Sequence, residues 1–456
     1  MNSAIVSTIL SILNPTLDFS VGAVNSLTLE FIDGWNEETA DSIIEIARAD
    51  WDSFETSWDF ARLPWLPQKM RDRSEPPAVA DGLTRQTQNS IENASENSRV
   101  SNDNVQPPAT AGGSDLAVCN SVEECWNRWK QLCDWRIARM RHLETENNRL
   151  FITAYGLEDE LSPEVPLEQI TLMRADAEKD TRRLLSYFVA CLMGRYSLDE
   201  EGLIYADAGG KGFDPLQYQT FPADDDGIVP VTDLEWFPQE AARQFEKFVA
   251  IVYSGNQRKE INRDERDTGD FQNDLSPSIP SIPVNYSSHA KNMKWIAEQL
   301  GAKANETPVE TVRRYFSTSF FKDHMQTYKK RPIYWLFSSG KQKAFECLVY
   351  LHRYNDLTLS RMRNDYVTKL FGHLSAQIEE AQREANDISL STPQKRIAAK
   401  NLDNLQKKYA ELQRFDEELR HLAEKRISID LDDGVKVNYG KFGNLLAEVK
   451  AIAAKD

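Results

Sequence analysis

Tyr328–Tyr354 reads YKKRPIYWLFSSGKQKAFECLVYLHRY, and it sets six cations (Lys329, Lys330, Arg331, Lys341, Lys343 and Arg353) among seven aromatic residues. The whole chain carries a net charge of -17, so positive charge gathered this tightly needs a local cause. Phosphate oxygens are one cause, because each lysine or arginine that reaches a phosphate releases a condensed counterion, and aromatic and guanidinium planes stack on bases. A core strand and helix with charged ends is the other. The alternation in IYWLF predicts a strand lying beside an apolar helix over FECLVY, with Tyr334, Trp335 and Phe337 mostly in the core. A strand and helix here, with helical periodicity on both sides, predict a mainly helical α+β fold.

Working outward, Thr307–Lys330 has helical spacing, and after the basic stretch two heptad-like runs follow, Val367–Ile388 and Arg396–Leu422. Their apolar positions are Leu370, Leu374 and Ile378, then Ile397, Leu402, Leu405, Leu412 and Leu419, and Pro393 interrupts them. That pattern predicts an antiparallel helical hairpin, a spacer arm that sets geometry. Ile427–Ile452 is expected to form a strand, an Asp-Asp-Gly turn, a second strand and a closing helix. Upstream, residues 167–325 have a mixed character. Glu178–Met193 predicts a helix, GRYSLDEEGLIYA a turn into a short strand, and FPADDDGIVPV a loop and strand. Arg258–Asn285 predicts an exposed polar loop. Ser121 with Glu124 forms a capping box for a long helix in 116–166 that carries Trp126, Trp129, Leu132, Cys133, Ile137, Met140 and Leu143. Asn36–Phe60, within 1–70, predicts an acidic amphipathic helix or pair. Between them 71–115 turns to Ser, Asn, Pro and Gln, which cannot bury enough apolar surface to offset ordering entropy, so a disordered linker is expected.

At 456 residues and 41% hydrophobic content the chain supports several cores. Its five cysteines include no CxxC pair, so neither disulfides nor structural zinc are expected. The apolar opening Met1–Leu13 lacks a cationic lead and is too short to span a bilayer, which implies a cytoplasmic protein without membrane contact. Several chemical motifs fail on inspection. Ser339-Gly340-Lys341 lacks the earlier glycine of a phosphate loop, where Trp335 stands, and the following Ser or Thr, where Gln342 stands. Asp224-Asp225-Asp226-Gly227 has the wrong spacing for calcium, with Val229 at the sixth position, and is expected to be a solvated turn. Asp433 with Glu448 and Lys450 has the order of a magnesium nuclease, but on a helical segment. His324 and His352 have no nucleophile in a glycine elbow nearby and are expected to pack or to contact phosphate.

KRPIYWLFSSGK, LVYLHRY and LSRMRNDYV resemble the region downstream of the catalytic domain in the large adenine-specific DNA methyltransferases of BREX phage-defence systems, the PglX family, related to type IIG restriction-modification enzymes. ILNPTLDFSVGAV (Ile12–Val24), ADWDSFETSWDF (Ala49–Phe60), LETENNRLFITAYGLEDEL (Leu143–Leu161), LLSYFVACLMGRYSLDEEGLIYA (Leu184–Ala206), FPADDDGIVPVTD (Phe221–Asp233) and ISIDLDDGVKVNYGKF (Ile427–Phe442) extend the resemblance in the same order. It implies S-adenosylmethionine as the cofactor of the complete enzyme and a flipped adenine held by Asn-Pro-Pro-Tyr/Phe. This sequence offers only Asn14-Pro15-Thr16-Leu17, and its one glycine cluster, Gly209-Gly210-Lys211-Gly212, follows no suitable strand. The chain thus looks like the post-catalytic part of such an enzyme, whether split, truncated or excised, with no catalytic residue and no cofactor of its own.

Two functions follow as expectations. One is a scaffold that recognises double-stranded DNA through a target-recognition-like module at 167–325 and needs a separate catalytic methyltransferase domain or subunit. The other is an interaction module that binds further BREX proteins. Lys329, Lys330, Arg331 and Lys341 are the expected phosphate contacts, with Arg353, Arg361 and Arg363 secondary. Base readout is expected from Gln257, Arg258, Asn262 and Arg263, because bidentate side chains specify while phosphate contacts position.

Overall fold

The computed structural model describes residues 8, 37–67, 119–253, 286–387 and 391–447. Two compact units divide the chain: one draws on Met1–Asp50, Trp65–Cys119 and Cys125–Ala175, the other on Trp51–Pro64, Asn120–Glu124 and Asp176–Asp456. The fold is mainly helical, with one small antiparallel sheet.

α1 (Glu37–Trp51) and α2 (Val122–Tyr155), most of whose residues fall in the first unit, carry the periodicity that predicts them. Ser121 Oγ accepts from the Glu124 N–H at 3.1 Å, the cap expected at the start of α2. Ile137 and Met140 of α2 pack with Val165, Ile170 and Leu172, and Ile43 and Ile46 of α1 close this core. Cys119 and Cys125 form a disulfide, contrary to expectation. Six residues of separation and the turn that enters α2 bring their Cα atoms to 5.5 Å, within bonding range without a CxxC spacing.

The second unit opens with α3 (Ala177–Leu192), whose Phe188 meets Phe221, Phe245, Phe248 and Phe316 at centroid distances of 5.1–6.0 Å. Burying side chains of this size contributes about 1.5–3 kcal/mol each. β1 (Ile228–Pro230), α4 (Ala241–Val252), α5 (Tyr286–Gln299) and α6 (Pro308–Tyr315) follow. Thr307 and Glu310 cap α6 reciprocally. A π-helical turn, Phe316–Phe320, passes without a break into α7 (Phe321–Thr327). Then come β2 (Tyr334–Ser338), β3 (Glu346–Tyr350), the short α8 (Thr358–Arg361), a second π-helical turn (Met362–Val367), and the hairpin helices α9 (Thr368–Asn386) and α10 (Thr392–Glu424). Pro393 sits in the first turn of α10, where its missing N–H has no helical partner to lose.

The sheet order is β1-β3-β2, with Tyr334 opposite Tyr350, Leu336 opposite Leu348 and Ile228 opposite Val349. Pro230 ends an edge strand, where a strand tolerates a residue with no N–H. The sheet therefore joins one strand from the 167–325 stretch to two from the basic-aromatic stretch. FECLVY, expected to be a helix, is β3: it folds back on β2 through the turn at Gly340 (φ 129), and the pairing outweighs local helical spacing. Both faces are covered, and Tyr334, Trp335, Leu336 and Phe337 are all buried.

The terminal segment corrects another expectation. Leu431–Asp433 is a single 3-10 turn and α11 (Gly434–Gly440) replaces the second strand. The Asp430 side chain accepts from Asp432 N–H, Asn438 of α11 bonds back to Asp430, and Tyr439 packs edge-on against Trp335. Val435 and Val437 favour strand, but these tertiary bonds hold the helix. The strand expected near GLIYA is also absent among the described residues, where Ile204 N–H merely donates to Arg195 O. Ile397 lies outside the hairpin seam, 70% exposed. The polar loop Arg258–Asn285, the 71–115 linker and Glu448 with Lys450 lie outside the described residues.

Candidate nucleic-acid interface

The cationic stretch begins where α7 ends. Lys330 N–H donates to Met325 O at 2.8 Å and Arg331 N–H to Tyr328 O at 2.8 Å, which folds the chain back over the helix terminus. Doing so puts Lys329 at φ 49 and Lys330 at φ 63, left-handed conformations that cost an L-residue on the order of 1 kcal/mol each. Glycine is the residue ordinarily used there. The turn is fixed from behind by His324, whose Nε2 accepts the N–H groups of Ile333 (3.0 Å) and Tyr334 (3.2 Å). An imidazole buried in this way stays neutral, and burial pulls its pKa down to about 3. Trp335 Nε1 donates to Pro332 O at 3.0 Å and completes the lock.

Lys329, Lys330 and Arg331 are exposed. Lys322 and Gln326, also exposed, lie on the α7 face that leads to Lys329 at helical spacing of four and three residues, so the structure adds them to the patch. Sequence reading passed over both because they lie before the aromatic run; counting periodicity back from Lys329 finds them. The adjacent acid, Asp323, is engaged by Arg182 (3.1 Å) and by the Tyr315 hydroxyl (2.8 Å). A structural account of the cations also holds, since positive side chains at a helix C-terminus complement its dipole.

The other expected residues do not join this patch. Lys341 is exposed, but at the far end of β2, about 16 Å away at 3.3 Å per residue. Its loop is held by Glu411 of α10, which accepts from Ser339 Oγ (2.9 Å), Gln342 N–H (2.8 Å) and Ala344 N–H (3.3 Å). Lys343 is spent on Glu346 (3.1 Å) and on Ser317 O. Arg363 forms a two-pronged pair with Asp416 at 2.7 and 3.0 Å, whereas Arg361 is exposed and makes no ion pair among the described residues. Arg258 and Arg263, with Gln257 and Asn262, lie outside the described residues.

Arg353 is 6% exposed. Its guanidinium donates to the carbonyls of Asp224 and Asp225 (2.8 Å for the latter) and lies 3.9 Å from the centre of the Phe213 ring. It therefore organises the Asp224–Gly227 turn, which is partly buried and not the solvated turn expected. Burial, then the charge of Asp226, pushes the Asp224 carboxyl up to about 7. Its own oxygen accepts from Gly227 N–H at 2.8 Å, and Asp226 receives the Tyr366 hydroxyl at 3.1 Å.

Among the described residues no group of side chains could hold a metal ion, and no helix is long and apolar enough to cross a membrane. The class defined is a mainly helical α+β fold that displays a hydrogen-bonded cationic turn. No family model matches the chain. It is 38% identical over 464 aligned residues to the adenine-specific methyltransferase BrxX of Escherichia coli O9:H4 (strain HS), covering 99% of this chain and 32% of that protein. It is 32% identical over 444 residues to the adenine-specific methyltransferase PglX of Lacticaseibacillus casei (strain Zhang), covering 97% of this chain and 30% of that protein. The chain thus belongs with the BREX methyltransferases BrxX and PglX, and it spans about a third of the length of these curated relatives.

Proposed function

We propose that this chain is the DNA-recognition and scaffold portion of a site-specific adenine N6 DNA methyltransferase of a BREX-type phage-defence system. The observation that carries the reading is the turn at Lys329–Arg331: two lysines held left-handed, and three cations displayed to solvent in a strongly acidic chain. In this reading the cations of the turn, with Lys322, bind phosphates of double-stranded DNA, and the 167–325 module reads the target. S-adenosylmethionine and the adenine clamp belong to a separate catalytic domain or subunit, and the complex works in the cytoplasm with other BREX proteins. A second reading, a protein-interaction module, is favoured by Trp58, which is 98% exposed on a segment whose Phe54 is covered by Arg183.

Replacing Lys329, Lys330 and Arg331 together by alanine should weaken binding to duplexes of any sequence and flatten the salt slope by about three units, one per lost phosphate. Unchanged affinity and slope in the folded variant would sink the assignment. Purified alone, the chain should add no labelled methyl to DNA above a protein-free control, because its sequence offers neither the glycine loop for the donor nor the Asn-Pro-Pro-Tyr/Phe clamp for the flipped base.

A further inference from the structure

Phosphate contacts hold a protein on DNA without telling it where it is, so a reader of base edges is needed as well. α8, the π-helical turn and α9 form one continuous helix, Thr358–Asn386. Its inward side carries Met362, Tyr366, Val367, Leu370 and Leu374, all buried. Its solvent side presents Arg361, Asn364, Asp365, Thr368 and Lys369, all exposed. Among the described residues Arg361, Asn364 and Lys369 make no side-chain hydrogen bond or ion pair, and Thr368 Oγ1 only returns to Arg363 O. Arginine, asparagine and lysine are the side chains that pair with guanine and adenine edges in the major groove.

One step further along lies Gly372, exposed in the interior of α9. Glycine is among the least favourable residues for a helix interior. A Cβ added there would meet nothing within 4 Å, so the fold gives no steric reason for it. Close approach by something outside does give one. From Glu379 the helix becomes acidic, with Glu379, Glu380 and Glu384, whereas Arg361–Gly372 holds a single acid, Asp365, so a polyanion is better accommodated along Arg361–Gly372. That stretch is about 17 Å long, on a helix whose 10–12 Å diameter suits a major groove about 12 Å wide. The π-helical turn at its start is the kind of insertion that often marks a functional site, because it rotates one part of a helix face relative to the next.

We propose that the solvent face of this helix, through Arg361, Asn364, Thr368 and Lys369, with Gly372 allowing close approach, reads base edges in the major groove of double-stranded DNA. It is a second reading surface, outside the 167–325 module, and it rests on the DNA-recognition reading above. The test is selection by the full chain from a pool of random duplexes, followed by sequencing and by affinity measurement against salt. The unaltered chain should enrich a motif. Asn364→Ala should lose discrimination at one position by about tenfold or more with an unchanged salt slope, since a neutral side chain displaces no counterion. Gly372→Ala should raise the melting midpoint yet weaken binding to the enriched duplex. The alanine triple variant at Lys329–Arg331 should keep the motif and lose about three units of the salt slope. Retention of motif and affinity by both Asn364→Ala and Gly372→Ala would overturn the helix as reader, as would duplex binding by the unaltered chain without any enriched motif. Failure of the unaltered chain to bind duplexes would instead overturn the DNA-recognition reading on which the proposal stands.

Discussion

Arg331 and Arg353 belong to one basic stretch, and the fold uses them in opposite ways. Arg353 is buried over Phe213, with its guanidinium bonded to the carbonyls of the Asp224–Gly227 turn, whereas Arg331 projects from a turn fixed by His324 and Trp335 behind it. The first region uses cation chemistry to close a loop that would otherwise leave the Asp224 and Asp225 carbonyls without this donor. The second spends backbone strain to hold cations in solvent. Local charge density cannot separate these uses; burial can.

The sharpest break of this comparison is Arg353→Ala. It strips two carbonyls of their donor and leaves the Asp224–Asp226 pair without its cation, so unfolding by denaturant should show a loss of about 3–5 kcal/mol. Arg331→Ala should stay within about 0.5 kcal/mol of the unaltered chain. Equal losses would erase the distinction. Glu411→Ala tests the opposite end of β2, where one carboxylate ties three groups of the loop. A loss of about 2 kcal/mol is expected, together with faster hydrogen exchange at the Gln342 and Ala344 amides.

Asp224 gives the buried region a pH signature. Its folded pKa is raised to about 7, chiefly by burial. The folded state therefore binds this proton more tightly than the unfolded one, and stability is lost as pH rises from about 4 through 7. Asp224→Asn removes the effect while Oδ1 can still accept from Gly227 N–H. The variant should be more stable than the unaltered chain by about 3–4 kcal/mol at pH 8, with the gap narrowing as pH falls and closing only near pH 4. A gap independent of pH would assign the effect to packing. The smallest change falls on the exposed region: Lys329→Gly with Lys330→Gly should stabilise the fold by about 1 kcal/mol by relieving two left-handed lysines, while the DNA salt slope drops by about two units. Such a variant, more stable but weaker in binding, would tie the lysines to DNA; a stabilised variant with an intact slope would make them helix-end charges only.

The sequence by itself determined the long helices α2 and α3, the strand at Tyr334–Ser338, the helical hairpin and the family. Periodicity of 3.6 over ten or more residues leaves few alternatives for α2, α3, α9 and α10, and the continuous β-branched and aromatic run IYWLF suits a short strand buried on both faces. Short motifs spread in order along the whole chain carried the family. Only the tertiary structure decided the rest. FECLVY became a strand because β2 and β1 offered it hydrogen bonds on both edges, and GVKVNYG became a helix because Asn438 and Tyr439 found partners in Asp430 and Trp335. Arg353 was buried, and Lys343 and Arg363 were engaged, by acceptors distant in sequence, and Lys322 was added by helix geometry. A free cation and a structural one have the same local sequence. What separates them is whether a partner far along the chain arrives to desolvate the charge, and that is fixed only when the chain has folded.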